Sequence, residues 1–326
     1  MSELLSSDQR VASLTQSLAL ERERFLDTIG ALRPRLHQFC TRMTGSVFDG
    51  EDVVQDALAH AFFKLPTLKD AERLEPWLFR IAHNKAIDLL RQRRDTATFD
   101  DEEAVMGTSP DEQAENEADV ARALSHALTR LPPKERACLV LKDVLGYTLA
   151  ETADIADSTI AGVKAALHRA RSKLADAEHS ATPATLSGDE LSLLEAYVER
   201  FNRQDWPAVR ELLQADARLE LVGVVEARGA DFIASNYFLN YAALPWDWRF
   251  TVAEIDGRLA ALMFKQGDGG WQAQALFQLT WSDGCVSRIR DYIHVPYILA
   301  DANVREIGSS PELANCWSKS KGGRST

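Results

Sequence analysis

Residues Leu131 to Leu174 read LPPKERACLVLKDVLGYTLAETADIADSTIAGVKAALHRARSKL, and their spacing predicts three helices joined by two tight turns. Pro132 and Pro133 fix the start of the first, since proline suits positions whose N–H has no intrahelical partner, and Ala137, Leu139, Val140 and Leu141 supply its apolar side. After the turn at Gly146, Thr148-Leu-Ala-Glu151 forms a capping box, in which the threonine and glutamate side chains satisfy each other's orphan backbone donors. This second helix is short because Asp157 and Ser158 interrupt it, and a third runs from Thr159 to about Asp176. Small Ala153 at the crossing, with Ile160, Val163 and Leu167 packing behind, makes the pair a helix-turn-helix. Its outer face carries Lys164, His168, Arg169, Arg171 and Lys173, with no acid between Asp157 and Asp176. A plain helical hairpin with a solvated basic face has the same spacing; the coincidence of capping box, tight turn and acid-free face favours DNA reading.

Towards the N-terminus, Trp77 to Arg94 reads WLFRIAHNKAIDLLRQRR. Trp77, Leu78, Ile81, Ala82, Leu89 and Leu90 recur at helical spacing as a buried stripe, while Arg80, Asn84, Asp88 and Arg91 fall on a second face open to a partner. Arg91, Arg93 and Arg94 suit both a helix C-terminus and phosphate. Before this helix, EDVVQDALAHAFFKL places Val54, Ala57, Leu58, Ala61, Phe62 and Leu65 on one face and Glu51, Asp52, Gln55 and Asp56 on the outer side. Acids at a helix start are also ordinary dipole partners. A further helix is expected from Phe25 to Met43, with Leu32, Leu36 and Phe39 inward, and residues 1–21 are a polar extension, helical or unstructured.

The chain has 326 residues, too many for one ordinary compact domain, and its 45% hydrophobic content lets each of two or three domains bury a core. The net charge of −12 argues against nucleic acid when taken whole, but the acids concentrate between Asp95 and Asp119 and in the C-terminal third, leaving basic islands at Arg91 to Arg94 and Lys164 to Lys173. From Asp95 to Glu117 there is no Lys or Arg, so this stretch reads as a self-repelling linker. Cys40, Cys138, Cys285 and Cys316 are too scattered for a disulfide framework or a zinc site. With no apolar run of membrane-spanning length and no signal peptide, a cytoplasmic protein that avoids membranes is expected.

Beyond an Ala-, Thr-, Ser- and Pro-rich stretch, His179 to Gly188, the periodicity changes. Helices at Leu191 to Asn202 and Trp206 to Leu213 precede an alternating strand, ARLELVGV, then a helix from Ala230 to Tyr241 and strands near Arg249–Ile255, Arg258–Phe264, Trp271–Trp281 and Val286–Val295. This order predicts an α+β domain. Tyr237, Tyr241, Trp246, Trp248 and His294 are candidates for lining a pocket; the aromatics serve equally as the core of a curved sheet. Residues after about 303 read as a mobile tail.

Taken together, DVVQDALAHAFFKL with EPWLFRIAHNKAIDLLRQRR, and the segment quoted first, resemble the two domains of bacterial extracytoplasmic-function (ECF) sigma factors, over roughly the first half of the chain. LLEAYVERFNRQDW through IRDYIHVPYILADA resembles the SnoaL-like, cone-shaped domain that some of these factors carry. The resemblance implies an N-terminal extension (1–21), an all-α sigma region 2 (22–95), an acidic linker (96–118), an all-α helix-turn-helix region 4 (119–178), a second linker (179–189), an α+β SnoaL-like domain (190–303) and a flexible tail (304–326). It implies a subunit that binds core RNA polymerase, at the β′ clamp helices and the β flap, and directs it to promoter DNA. Asp52, Gln55 and Asp56 then dock on polymerase, Asn84, Arg80 and Arg91 meet the minus-ten element, and Lys164, Ala165, His168, Arg169 and Arg171 meet the minus-thirty-five element. A base taken out of its stack costs a few kcal/mol and needs a shaped pocket, the place implied for Asn84 and the loop Thr67 to Glu75. Two departures from the pattern are Asp157 where a turn glycine is usual, and Ala165 and Ala166 where polar groups are common.

No catalytic residue, cofactor or metal is expected, and the C-terminal domain is expected to regulate the sigma core by contact, with a small ligand or a regulatory protein as its partner. Two alternatives remain in view. One is a fused SnoaL-like enzyme using Asp216, Asp291 and His294; the other is a ligand-responsive helix-turn-helix regulator.

Overall fold

The computed structural model describes residues 28–68, 70–100, 125–175 and 188–308. The expected N-terminal extension, most of both linkers and most of the tail, with Cys316, lie outside the described residues.

Helix α1 (residues 28–44) turns at Gly45, φ +85°, into α2 (Val47–Lys64), and after two short 3-10 turns α3 (Leu74–Asp100) runs back across them. Gly50 lets α2 lie against α1, because a Cβ there would stand 2.5–2.9 Å from Thr41. Phe39 and Phe79 meet edge-to-face at 5.8 Å in the core between α1 and α3. Helix α3 continues six residues past its expected end at Arg94, so the backbone is helical into the first part of the acidic stretch.

The second helical unit comprises α4 (residues 125–130), α5 (Pro133–Leu139) widening into a π turn (Val140–Val144), α6 (Leu149–Ile155) and α7 (Ile160–Ala175). The capping box of Thr148 and Glu151 is present with both of its hydrogen bonds, and Asp157 takes the left-handed turn position at φ +46°. Ala153, Val163 and Leu167 are buried as expected, but Ile160, expected to pack behind, opens α7 with 47% of its surface exposed.

Both helical units share one hydrophobic core, which runs from Leu36 and Phe79 to Leu141 and Leu167. Phe79 meets Tyr147 edge-to-face at 5.3 Å, Tyr147 Oη donates to Glu75 Oε1 at 2.6 Å, and the buried Arg136 guanidinium donates to the carbonyls of Met43 and Leu131. Burial lowers the Arg136 pKa to about 10.

In the C-terminal unit, α8 (Gly188–Asn202) and α9 (Trp206–Glu211) precede β1 (Leu213–Leu221) and β2 (Val225–Arg228). A helical stretch follows as α10 (Ala230–Phe232), a π turn (Ile233–Tyr237) and α11 (Phe238–Ala242). The remaining elements are β3 (Trp248–Ile255), β4 (Arg258–Gly267), β5 (Gly270–Ser282), β6 (Cys285–Asp291), α12 (Ile298–Asp301) and β7 (Val304–Gly308). One sheet holds all seven strands in the order β2-β1-β6-β5-β4-β3-β7, with β1 and β6 parallel and the other neighbours antiparallel. Strand β7 on the edge beside β3 corrects the expectation of a tail beginning at residue 304.

The sheet is buried on both faces. On β4, Ala261 and Met263 point into a core with α8, whereas Ala260, Leu262 and Phe264 point into a second core closed by α12 and by Val47 and Phe48 of α2. Burying a valine and a phenylalanine side chain contributes about 1.5–3 kcal/mol each, so this join is apolar before any charge is counted.

Candidate functional site

The start of α2 is built into the C-terminal domain. Ser46 makes no side-chain cap; instead the Val47 N–H, an orphan donor of the first turn, is taken by Asp256 Oδ2 at 2.7 Å. Asp256 sits at φ +49° in the β3–β4 turn and also accepts from Asn303 N and Nδ2. Phe48 packs on Tyr292 at 5.5 Å, under the Arg258 guanidinium.

Four carboxylates of α2 divide between hidden and open positions. Glu51, expected on the outer side, is fully buried, paired with Arg33 and accepting from Tyr297 Oη at 2.9 Å. Asp49 is buried between Arg258 and Arg93, each at 2.8 Å. Asp52 is bound by both terminal nitrogens of Arg290, which is itself braced by Glu220, with its Nε 3.0 Å from that carboxylate. Asp56 is exposed and Gln55 half-buried. The three residues expected to dock on polymerase thus share one helix face, but the C-terminal sheet holds the first of them.

On α3, Arg80, Asn84 and Arg91 are exposed along one face. Asn84 Oδ1 lies 3.1 Å from Nδ1 of the buried His83, whose pKa burial lowers, so a neutral imidazole orients the amide. Arg80 and Arg73 both approach Asp154 of α6, at 3.9 and 2.6 Å. On α7, Lys164, Ala165 and His168 are exposed. Arg169 and Lys173 grip Glu135 at 2.7 and 2.9 Å, and Arg171 binds Asp143 at 2.8 Å. Burial pushes the Glu135 carboxyl up, but Arg169 and Lys173 outweigh it and hold the pKa below its ordinary value. The two arginines expected to meet the minus-thirty-five element are therefore braced by acids of their own domain.

In the C-terminal domain, Tyr237, Tyr241 and Trp248 belong to the aromatic core around Phe201, whose ring lies 5.1 Å from Tyr241 and 5.6 Å from Trp248. Trp246 lies at the edge of that core beneath Lys265, and His294 is exposed. Asp291 is fully buried and accepts from Tyr237 Oη at 2.8 Å, Tyr241 Oη at 2.7 Å and Ile293 N at 2.9 Å; burial raises its pKa. Asp216 is at the surface, where hydrogen bonding to Arg228 lowers its pKa. It lies five residues along β1 from Leu221, the register partner of Asp291, or roughly 16 Å at strand rise. The three titratable candidates do not converge.

A helical unit with a solvent-facing amide and arginine stripe, joined to a helix-turn-helix, defines a two-part DNA reader. The Sigma-70 region 2 family matches residues 28–96 and the Sigma-70, region 4 family residues 121–174. The ECF RNA polymerase sigma factor SigG of Mycobacterium tuberculosis is 31% identical over 267 residues, covering 72% of this chain and 72% of SigG. The chain belongs to the ECF RNA polymerase sigma factors. The crystal structure of the M. tuberculosis ECF sigma factor SigJ aligns with 82% of this chain and 95% of its own at 20% identity and a TM-score of 0.34. An M. tuberculosis LEH-like epoxide hydrolase aligns with 35% of this chain and 88% of its own at 16% identity and a TM-score of 0.27. Among the described residues, no helix is long and apolar enough to cross a membrane.

Proposed function

We propose that this sigma factor is held closed by its own C-terminal domain, which covers the acidic start of the polymerase-docking helix α2. The observation that carries this reading is the grip of Arg290 on Asp52, beside that of Arg258 on Asp49, over buried Val47 and Phe48. Asp49 is buried, and a basic group of polymerase must compete with Arg290 for the half-exposed Asp52, so a ligand or regulatory protein that prefers the open arrangement would shift the balance.

In the open form, Asp52, Gln55 and Asp56 dock on core RNA polymerase, Asn84, Arg80 and Arg91 contact the minus-ten element, and Lys164, Ala165, His168, Arg169 and Arg171 contact the minus-thirty-five element, in the cytoplasm where polymerase acts. The C-terminal domain works by contact and catalyses nothing. In support, Asp291 is enclosed by the two tyrosines, while Asp216 is paired at a distant surface. The test is run-off transcription with core polymerase on a cognate promoter. Arg258→Ala/Arg290→Ala should raise output at limiting polymerase, and output equal to the parent's would remove the regulatory role.

A further inference from the structure

Helix α7 opens on an exposed branched side chain, Ile160, at 47%. The turn that places it is fixed from two sides: Asp157 holds the left-handed position at φ +46°, and Thr159 Oγ1 accepts from Gly162 N at 3.0 Å. At 100° per residue, Val163, Ala166, Leu167 and Ala170 fall within about 100° of the helix surface and are buried, whereas Ile160, Lys164, His168, Ala161 and Ala165 fall within about 140° on the other side and are exposed. Ile160 and Lys164, four residues apart, stand one above the other. The helix carries no acid, and its basic residues from Arg169 onward are held by Glu135 and Asp143.

A lone exposed isoleucine needs no explanation on an ordinary surface. This one heads the recognition helix, whose N-terminal residues are those that meet base edges in helix-turn-helix proteins. An isoleucine side chain has no polar atom, so the feature of a base pair it can read in the major groove is the 5-methyl group of thymine; guanine, adenine and cytosine present donors and acceptors there. We propose that Ile160 is a specificity-determining residue of the minus-thirty-five contact, packing on the methyl group of one thymine while Lys164, a turn further on, donates to an adjacent base edge. This rests on the reading of α7 as the helix that enters the groove. Ala161 and Ala165 carry no atom beyond Cβ, so the first two turns can lie close to the bases. Ala165 thus gives up a polar contact for the close approach that a methyl contact needs.

The test uses holoenzyme reconstituted from the full chain and core polymerase. Promoter DNA randomised across the minus-thirty-five element, and otherwise fixed, is bound and sequenced. In the selected duplex each thymine of that element is then replaced in turn by deoxyuridine, which removes the methyl group alone. One replacement should weaken binding by the parent about fourfold, the worth of one buried carbon at about 0.8 kcal/mol, and leave Ile160→Ala unaffected. Ile160→Val should keep most of the effect, and at the same position 5-methylcytosine should bind the parent more tightly than cytosine. Because the side chain is half-exposed, Ile160→Ala should keep the parent's melting temperature. An Ile160→Ala holoenzyme that responds to deoxyuridine as the parent does, or that loses affinity equally for every sequence, overturns the methyl contact. Lys164→Ala and His168→Ala separate this claim from the one beneath it. If either changes the selected sequence while Ile160→Ala does not, α7 stays in the groove and the isoleucine's role falls; if none of the three changes it, both fall.

Discussion

At the scale of single residues, the side chains proposed to meet DNA differ in how their own domain holds them. Asn84 is exposed and oriented by neutral His83, so Asn84→Ala should reduce heparin-resistant open complexes at least tenfold while leaving polymerase affinity within twofold. Equal open-complex yield would remove the base contact. Arg169 is different, because Glu135 already holds it at 2.7 Å. An arginine fixed in this way can present its remaining donors to a guanine edge or to a phosphate, and Arg169→Ala should weaken promoter binding by about 1–3 kcal/mol. Relaxed preference at one base pair identifies an edge contact, and uniform loss identifies a phosphate. Glu135 also has a pH signature. Its pKa is lowered in the fold, so its contribution is complete above the ordinary carboxylate value and is lost as pH falls through the lowered one. Acid unfolding of Glu135→Gln, followed by circular dichroism, should lack that component.

Among the elements, α2 is built into two domains. Its first N–H is capped by Asp256 across the interface, and removing a capping carboxylate typically costs about 0.5–2 kcal/mol. Asp256→Ala should lower the melting temperature of the full chain and raise proteolytic cleavage between the domains; unchanged values for both would make the cap incidental. The helix-turn-helix was legible in the sequence to the level of single hydrogen bonds, because proline, capping box and left-handed Asp157 are local chemistry. The aromatic set around Phe201 was legible as a group, but not the burial of Tyr237, Tyr241 and Trp248 or the exposure of His294, since periodicity cannot distinguish a pocket from a filled core. The burial of Glu51 and the capture of Asp52 were also not legible. Both depend on Tyr297 and Arg290, more than 230 residues away in the chain. One sequence signal was available: Ala260 to Phe264 is apolar without alternation, the mark of a strand buried on both faces, and the second face required a partner that proved to be α2.

For the whole molecule, the shared core of the two helical units sets a geometric conflict. The minus-ten and minus-thirty-five elements are about 25 base pairs apart, roughly 85 Å at 3.4 Å per pair, and units joined through Phe79, Tyr147 and Arg136 cannot reach both. Opening must therefore separate region 2 from region 4 as well as releasing the C-terminal domain. Dyes at Gln92 and Ser172 should show efficient energy transfer in the free chain and lose it on polymerase binding; transfer that persists in the complex would refute the opening.

The covering of α2 is tested most directly by the equilibrium dissociation constant for core polymerase, measured for the full chain and for Arg258→Ala/Arg290→Ala at matched stability. Partly exposed ion pairs contribute about 0.5–1 kcal/mol each, and 1.4 kcal/mol is tenfold, so loss of both should let the variant bind about fivefold to twenty-fivefold more tightly. Equal or weaker binding by the variant would contradict the account.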